Sequence, residues 1–421
     1  MTEPRPAAPE TDAVPARAWL MLAVGVLAAA ATAAVTAGTP FLLPALHTRL
    51  GMDLGTAGVL VAMPGIGTAL TLVAWGWLVD RTGERAVLTA GGALAAVALV
   101  AAVGFARTGP TTPGALVPLA LSLLVAGAGA ASANSASGRV VVGWFPARRR
   151  GLAMGIRQMA QPLGTAVAAT GIPLLAGRHG LPAALTLPLL LSAAGAVASW
   201  LLVVDPPRPP APVAPAGGRV PNPYRDSRFL WRVHGVSVLL VVPQALLQGY
   251  LLVWLVVGHG WQAGPAAAVV TTAQLAGAVA RIGAGAWSDH AGSRTGPLRV
   301  VAVAAVAGTA ALAVAEALHV PGVVAVTLGV AVTVIAVTDN GLAFTAVAEH
   351  AGPFWSGRAL GTQNTAQFAA VSATTPLMGV VITHLGYWPA FALAAVLAGV
   401  AVPLVPRADE PAPPMGVPAA G

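Results

Sequence analysis

The sequence predicts an all-α integral membrane protein of twelve transmembrane helices, arranged as two pseudo-symmetric six-helix bundles. Three observations carry that prediction. Apolar residues make up 57% of the 421-residue chain and charged residues 9%, with a mean hydropathy of +0.78. So little polar surface cannot coat a soluble domain of this size, which makes the bilayer the solvent. Twelve apolar runs each reach the ~20 residues that cross a hydrocarbon core. Finally, two stretches of the first half return in register in the second. Gly76-Trp77-Leu78-Val79-Asp80-Arg81-Thr82-Gly83-Glu84-Arg85 reappears as Gly285-Ala286-Trp287-Ser288-Asp289-His290-Ala291-Gly292-Ser293-Arg294, an offset of 209 residues. Gly151-Leu152-Ala153-Met154-Gly155-Ile156-Arg157-Gln158-Met159-Ala160-Gln161 reappears from Gly357 to Gln367, an offset of 206. Matches at the second and fifth runs, both shifted by half the chain, mark a duplicated six-span unit.

In chain order, residues 1–17 are polar, rich in Pro and Ala, and lack the basic n-region and cleavage site of a signal peptide, so they read as a cytoplasmic tail. Six apolar runs follow at 18–46, 55–79, 86–106, 115–144, 152–176 and 183–204, giving an amino-terminal bundle over 18–204. The segment 205–229 is crowded with proline, too polar to span and unable to form one helix, and is expected to be a cytoplasmic linker. Runs at 230–257, 264–288, 298–317, 321–347, 358–383 and 388–406 make the second bundle over 230–406, and 407–421 is a second cytoplasmic tail. All 22 basic residues are arginine. With the amino terminus inside, fifteen of them fall in cytoplasmic segments and only Arg49, Arg107 and Arg178 outside, as loops that stay in the cytoplasm require. Arg139, Arg157, Arg232 and Arg281 lie within or at the ends of apolar runs. The expected location is the plasma membrane, with both termini inside.

The same residues exclude whole classes of function. The absence of cysteine removes disulfides and thiol metal sites. No His, Asp or Glu cluster has metal-ligand spacing, no glycine-rich loop carries a phosphate-binding lysine, and no nucleophile stands beside a base. No enzyme chemistry, metal or cofactor is therefore expected. The net charge of +8 is concentrated in loops on one side of the membrane, which points to lipid rather than nucleic acid as its partner.

The repeated hinge has a physical logic. Gly76 and Gly285 let two helices approach closely, Asp80 and Asp289 are short enough to cap a helix or pair with an arginine, and Gly83 and Gly292 allow a sharp turn. At these residues the chain resembles the major facilitator superfamily of secondary transporters, whose signature between the second and third helices reads Gly-x-Leu-x-Asp-Arg-x-Gly-Arg-Arg. Glu84 departs from it, and the second copy resembles the family's weaker echo between helices eight and nine. The run Trp144-Phe145-Pro146-Ala147-Arg148-Arg149-Arg150-Gly151 is also similar to the family's loop between helices four and five. The resemblance implies two bundles that alternate access to a small-molecule site between them without ATP. It makes Gly76, Asp80, Arg81, Gly83 and Arg85, with Arg139, and Gly285, Asp289, Gly292 and Arg294 candidate gating residues. Asp80 is expected against the start of helix eleven or Arg139, and Asp289 against its counterpart near helix five.

Polar residues deep in apolar runs are candidates for the transport pathway. Arg157 lies about six residues into the fifth run, ~9 Å from its start at 1.5 Å per residue, and a charge that deep seldom faces lipid. Gln161 shares its helix face, and Gln363 and Gln367 repeat the spacing in the eleventh run. An arginine with glutamines around it suits a carboxylate or other anion; snorkelling to the interface is the alternative. Asn134 and Asn340 occupy equivalent depths of runs four and ten. Asp339 is the carboxylate well inside a run and suits proton coupling or partnership with a buried arginine. In the seventh run Gln244, Gln248 and Tyr250 follow Pro243, and in the first Thr36 and Thr39 flank Pro40, prolines that would loosen gating helices. His234 and His384 read as interfacial, Glu316 as an exposed outer residue, and Glu349 as a partner for Arg294 or Arg358. The function expected is transport of a small organic anion by one chain, with protons as candidate coupling ion. The alternative is proton-driven export of a drug or natural product. Against export, Gln161-Pro162-Leu163-Gly164 stands where antiporters of the family carry a Gly-Pro pair and a double glycine. A sensor would need an output domain larger than the central linker.

Overall fold

A computed structural model of the chain describes residues 14–108, 113–206 and 222–410. The two expected tails beyond 14 and 410 and the core of the expected linker, 207–221, lie outside the described residues. The first bundle holds α1 (Ala16–Thr36), α2 (Leu54–Thr82), α3 (Glu84–Arg107), α4 (Pro113–Ala130, resumed as Ser132–Trp144), α5 (Ala147–Gln158, resumed at Ala160) and α6, which ends at Leu202. The second holds α7 (Phe229–Val253), α8 (Ala263–Ala291), α9 (Thr295–Ala317), α10 (Gly322–Ala336, resumed as Asp339–Ala351), α11 (Ser356–Leu385) and α12 (Tyr387–Leu404). Among the described residues, eleven helical stretches are long and apolar enough to cross a membrane. One of these, Ala147–Leu202, supplies two crossings. Gly180, at a φ of 83° that side-chain-bearing residues avoid, separates α5 from α6. The chain reverses there, since a Cβ on Gly171 would meet the Leu187 side chain, which a straight helix would hold about 24 Å away.

Several runs are interrupted where proline or polar residues demand it. The first run was expected to continue to residue 46, but α1 stops at Thr36 because Pro40 has no N–H for the Thr36 carbonyl. Thr39–Leu42 then forms a tight 3₁₀ turn before a short helix, Leu43–Thr48. The breaks in α4, at Ala131, and in α10, at Val337 and Thr338, fall at equivalent places in the two halves. α5 breaks at Met159 whereas α11 runs on from Ser356 to Leu385. Sequence explains this difference: Pro162 cannot donate to the Gln158 carbonyl, and the matching position of α11 is Phe368.

The ends of α2, α4, α8 and α10 meet the starts of α3, α5, α9 and α11 on one face, the hinge face. Across the bundle interface α2 packs on α11 and α5 on α8, while α3 with α6 and α9 with α12 form the flanks. Each bundle has its own apolar core. A further core near the hinge face draws on both bundles, joining Leu22, Phe145 and Met154 to Phe229, Phe344 and Leu360. Small residues bring helices to backbone contact within each bundle. At Gly127 of α4 an added Cβ would run into the Pro64 backbone of α2, whereas at Gly104 of α3 it would meet nothing within 4 Å. Gly127→Ala is therefore expected to destabilise the protein by about 1–3 kcal/mol. Gly104→Ala should leave thermal unfolding in detergent unchanged or slightly raised.

Candidate functional site

A cavity of about 140 Å³ lies between the bundles at mid-depth, walled by α1, α4 and α5 on one side and by α7, α10 and α11 on the other. Of the sequence-predicted residues it brings together Arg157, Gln161, Asn134, Gln244, Gln248, Asn340 and Gln367. Arg157 is the charged residue in this lining and only 3% exposed. Its Nε donates to Ser137 Oγ (3.0 Å), Nη1 to Gln158 Oε1 (2.6 Å) and Nη2 to the Asn134 carbonyl (2.7 Å). All three acceptors are neutral, so the guanidinium is held in place without being neutralised. Phe344 of the other bundle lies 5.5 Å from it, ring to cation. The facing wall is a chain of amides: Gln367 Nε2 donates to Asn340 Oδ1 (2.8 Å), and Asn340 Nδ2 to Gln244 Oε1 (3.0 Å).

Two predicted site residues lie elsewhere. Gln363, at 0% exposure, is outside this lining and bonds His234 Nδ1 and Ser237 Oγ of α7. Because α11 is unbroken where α5 kinks, the residue equivalent to Arg157 turns behind its helix rather than into the cavity. Asp339 is also outside the lining and 1% exposed, with the backbone N–H groups of Asp339 and Asn340 beside its carboxylate. His234, near the start of α7, is 5% exposed, with Tyr224 Oη 3.0 Å from its Nε2. His384 is exposed, and Glu316 is 3.3 Å from His259 Nε2. Thr36 lines the cavity, and Thr39 is buried, donating to the Val61 carbonyl at 3.0 Å. Tyr250 donates to the Thr375 carbonyl at 2.7 Å.

On the hinge face, Asp80 Oδ1 accepts from the Gly357 N–H (2.8 Å) and Arg139 Nη1 (3.0 Å), and Oδ2 from Arg358 N–H (3.1 Å) and Nε (2.9 Å). Its carboxylate thus closes the exposed N–H groups at the start of α11. Asp289 reaches α5 one turn in, accepting from Gly151 N–H (2.9 Å) and Leu152 N–H (2.8 Å), with Arg294 Nη1 at 2.6 Å. Glycine is required at the crossing points, since a Cβ on Gly76 would strike the Gly357 carbonyl and one on Gly285 the Gly151 carbonyl. Gly83, at a φ of 101°, joins α2 to α3, and Gly292 ends α8 in the left-handed region. Arg294 also holds Glu349 (3.1 Å) and the Ala147 carbonyl of the first bundle (2.6 Å). Burial works against its charge, but Glu349 and Asp289 outweigh that and raise its pKa above the ordinary arginine value. Arg85 turns to its own bundle, its Nε donating to the Trp200 carbonyl (3.0 Å), and Arg81 stacks on Trp77 at 3.9 Å.

Sequence reasoning missed several members of these networks. Glu84, conspicuous only as a departure from the signature, is fully buried and holds Arg139 Nε at 2.8 Å. Asp205 and Asp409, each just after the last helix of a bundle, accept from the N–H groups of Arg85 (2.9 Å) and Arg294 (2.8 Å). Arg281, counted only among the arginines within or at the ends of apolar runs, is buried and donates to the Gln158 carbonyl across the interface (2.8 Å). Pro162, which frees that carbonyl, was the available signal.

Twelve spans, a polar cavity between two bundles and a clasped face at one end of it define a secondary-transporter architecture. The family model of the Major Facilitator Superfamily matches residues 20–375. The chain belongs to that superfamily. It is 44% identical over 388 residues to an uncharacterised MFS-type transporter of Mycobacterium tuberculosis, Rv2994, covering 92% of this chain and 84% of the relative. A probable nitrate/nitrite transporter of the same species, NarK2, is 33% identical over 282 residues, 65% of this chain and 66% of that one. The Escherichia coli fucose:proton symporter FucP shares the fold with a TM-score of 0.73 at 16% identity, over 91% of this chain and 97% of that one.

Ser356 is 1% exposed beside the Asp80 clasp, and the chain has no cysteine. In a Ser356→Cys background, Asp80→Asn should raise the rate of labelling by a hydrophilic maleimide on the order of tenfold. That follows from losing charge-assisted bonds worth about 1.5–3 kcal/mol each, and stopped-time mass spectrometry of the purified protein measures it.

Proposed function

We propose that the chain moves a small anion, organic in kind, across the plasma membrane by alternating access, with Arg157 as the anchor for its charge. The observation that carries this reading is a cavity whose charged lining residue is a guanidinium bound to neutral acceptors alone. A site of that kind favours an incoming anion and penalises a cation. Phe344 and Phe368 give it apolar wall for a carbon body, and the amide chain of Gln244, Asn340 and Gln367 offers neutral hydrogen bonding opposite. The name of the NarK2 relative, a probable nitrate/nitrite transporter, agrees in the sign of the cargo. Asp80 and Asp289 act as the gate that closes the hinge face, and Asp339 is the proton-coupling group, whichever direction the cargo takes. A single chain supplies every residue of this scheme.

Arg148, Arg149, Arg150, Arg294 and Arg358 stand at helix ends on the hinge face, which makes it cytoplasmic in this reading. Cysteines placed singly at Ala420 and at the exposed His179 of the α5–α6 reversal test it. In intact cells an impermeant maleimide should label the His179 position and spare the Ala420 position; the reverse pattern would invert the topology.

Arg157→Lys keeps a charge but loses the three-way fork, and Arg157→Gln loses both. Counterflow and binding with a panel of small carboxylates and nitrate should rank apparent affinity as Arg above Lys above Gln. The loss from Arg to Gln is expected to be on the order of 2–5 kcal/mol for a desolvated ion pair. An arginine that only braces α4 against α5 predicts instead that Lys serves as well and that defects appear in melting temperature alone. Unchanged affinity in the Gln variant, or a cationic cargo, would remove the anion reading and bring proton-driven export forward.

A further inference from the structure

Three arginines converge where α12 ends. A cleft of about 620 Å³ at the hinge face of the second bundle is lined by Arg232 of α7, Arg299 of α9 and Arg407 just past α12. Arg232 donates from Nε to the Leu404 carbonyl (2.9 Å) and from Nη2 to those of Pro403 and Val405 (both 3.2 Å). Arg299 Nη2 reaches the carbonyls of Val405 (3.3 Å) and Pro406 (2.9 Å). These carbonyls close α12 and have no helical donors. They fix two guanidiniums in place without neutralising them. Arg407 is exposed, and among the described residues none of the three arginines has a carboxylate within the 4.0 Å of an ion pair. Glu410 lines the same cleft, but its carboxylate accepts from Ser227 Oγ. Three guanidiniums against one carboxylate leave the lining two positive charges in excess.

Closing a helix end does not demand this cluster, as the first bundle shows. Asp409 caps the start of α9 at the N–H groups of Arg294 (2.8 Å) and Thr295 (2.9 Å), and Asp205 takes the Arg85 N–H (2.9 Å) at the start of α3. Counted from those shared anchors, Arg299 falls on Ala90 and Arg407 on Val203. The end of α6 is served instead by Arg85 Nε at the Trp200 carbonyl (3.0 Å) and Trp144 Nε1 at the Val204 carbonyl (3.1 Å). The surface next to the cleft is apolar. Val303, one turn along α9 from Arg299, is exposed, as are Val400 and Val396, one and two turns back along α12 from Pro403. Trp231, beside Arg232 at the start of α7, is exposed too, and tryptophan at the end of a spanning helix stands at headgroup depth.

We propose that this cleft binds the phosphate of an anionic phospholipid, whose acyl chains lie along the exposed valines of α9 and α12. Arg232 and Arg299 offer donors already oriented by the α12 carbonyls, and Arg407 completes the cradle from the tail. A basic pocket between helix ends, opening onto an apolar surface, suits a charged headgroup with chains attached better than a free ion. The excess of positive charge selects a lipid of net negative charge over a zwitterionic one, whose ammonium group it repels. Occupancy would tie residues 405–409, and with them the Asp409 cap on α9, to the membrane. The inference needs the membrane-spanning fold but neither the anion reading of Arg157 nor a direction of transport.

The test needs no cargo. Delipidated protein in detergent is titrated with dioleoylphosphatidylglycerol or dioleoylphosphatidylcholine, bound lipid is counted by native mass spectrometry, and melting temperature is followed in parallel. One phosphatidylglycerol should bind on the order of tenfold more tightly than phosphatidylcholine and raise the melting temperature. Arg407→Gln, which gives up no ion pair within the described residues, should weaken that binding about fivefold, as one basic residue near an anionic headgroup contributes. Adding Arg299→Gln should weaken it further, and if that double variant melts early, Arg407→Gln alone decides. Arg225→Gln removes the same charge from an exposed position outside the cleft, just before α7, and should change nothing. Wild-type binding in Arg407→Gln, or an equal loss in Arg225→Gln, would reduce the effect to bulk charge and overturn the site. A large excess of glycerol 3-phosphate should not displace the lipid; displacement would make the cleft a free-phosphate site and overturn the lipid assignment.

Discussion

The N–H groups of Gly357 and Arg358 open α11 with no helical acceptors of their own, and Asp80 of the opposite bundle takes both, as Asp289 takes those of Gly151 and Leu152 one turn into α5. Much of the hinge face follows from that requirement. For Asp80 and Asp289 to reach those amides the helices must cross at backbone contact, which restricts the crossing points to glycine: Gly76 against Gly357, Gly285 against Gly151. Close crossing in turn brings apolar residues of both bundles into one core around Phe344 and Leu360. The cavity sits behind this closure, where Arg281 also bonds the Gln158 carbonyl of its lining across the interface.

Duplication supplies the scaffold, and departures from it supply the chemistry. Breaks in α4 and α10 match, so Asn134 and Asn340 reach the same cavity from opposite sides. Pro162 and Phe368 do not match, and their difference places a guanidinium in the cavity from α5 while Gln363 turns back toward His234. One wall is therefore cationic and the other an amide chain. A solute held between them meets different groups on the two bundles, which is a condition for binding to differ between the states of a rocking transporter.

Much of this was legible in the sequence. Hydropathy and the two repeats give the fold class and the pairing of the fifth with the eleventh helix, because burial in lipid imposes long apolar runs and duplication preserves register. Arg157 was found from its depth alone. Gln363 was misplaced because pseudo-symmetric position was taken to mean pseudo-symmetric direction, and one proline decides otherwise. Arg281 was grouped with the arginines within or at the ends of runs and passed over although it stands as deep as Arg157, because the carbonyls it holds are brought together only by the assembled bundles. Glu84, Asp205 and Asp409 belong to contacts between segments far apart in the chain, which no local pattern announces.

Glu84 also bears on how a clasp with this many buried charges can open. Across the interface Asp80 holds Arg358, and Glu349 holds Arg150 at 3.5 Å. Removing one partner of a buried pair costs about 3–5 kcal/mol when the other is left uncompensated. Here neither aspartate would be left alone: Asp80 keeps Arg139 and Asp289 keeps Arg294, each within its own bundle. Once parted, the first bundle carries Asp80 and Glu84 with Arg139 and Arg150, and the second Asp289 and Glu349 with Arg294 and Arg358, two charges of each sign on both sides. An arginine at position 84, as the family signature has it, would place a like charge beside Arg139 and leave that bundle's set strongly positive. In the proposed gate, the glutamate in its place would let the clasp be tight when closed and still release without stranding a charge on either half.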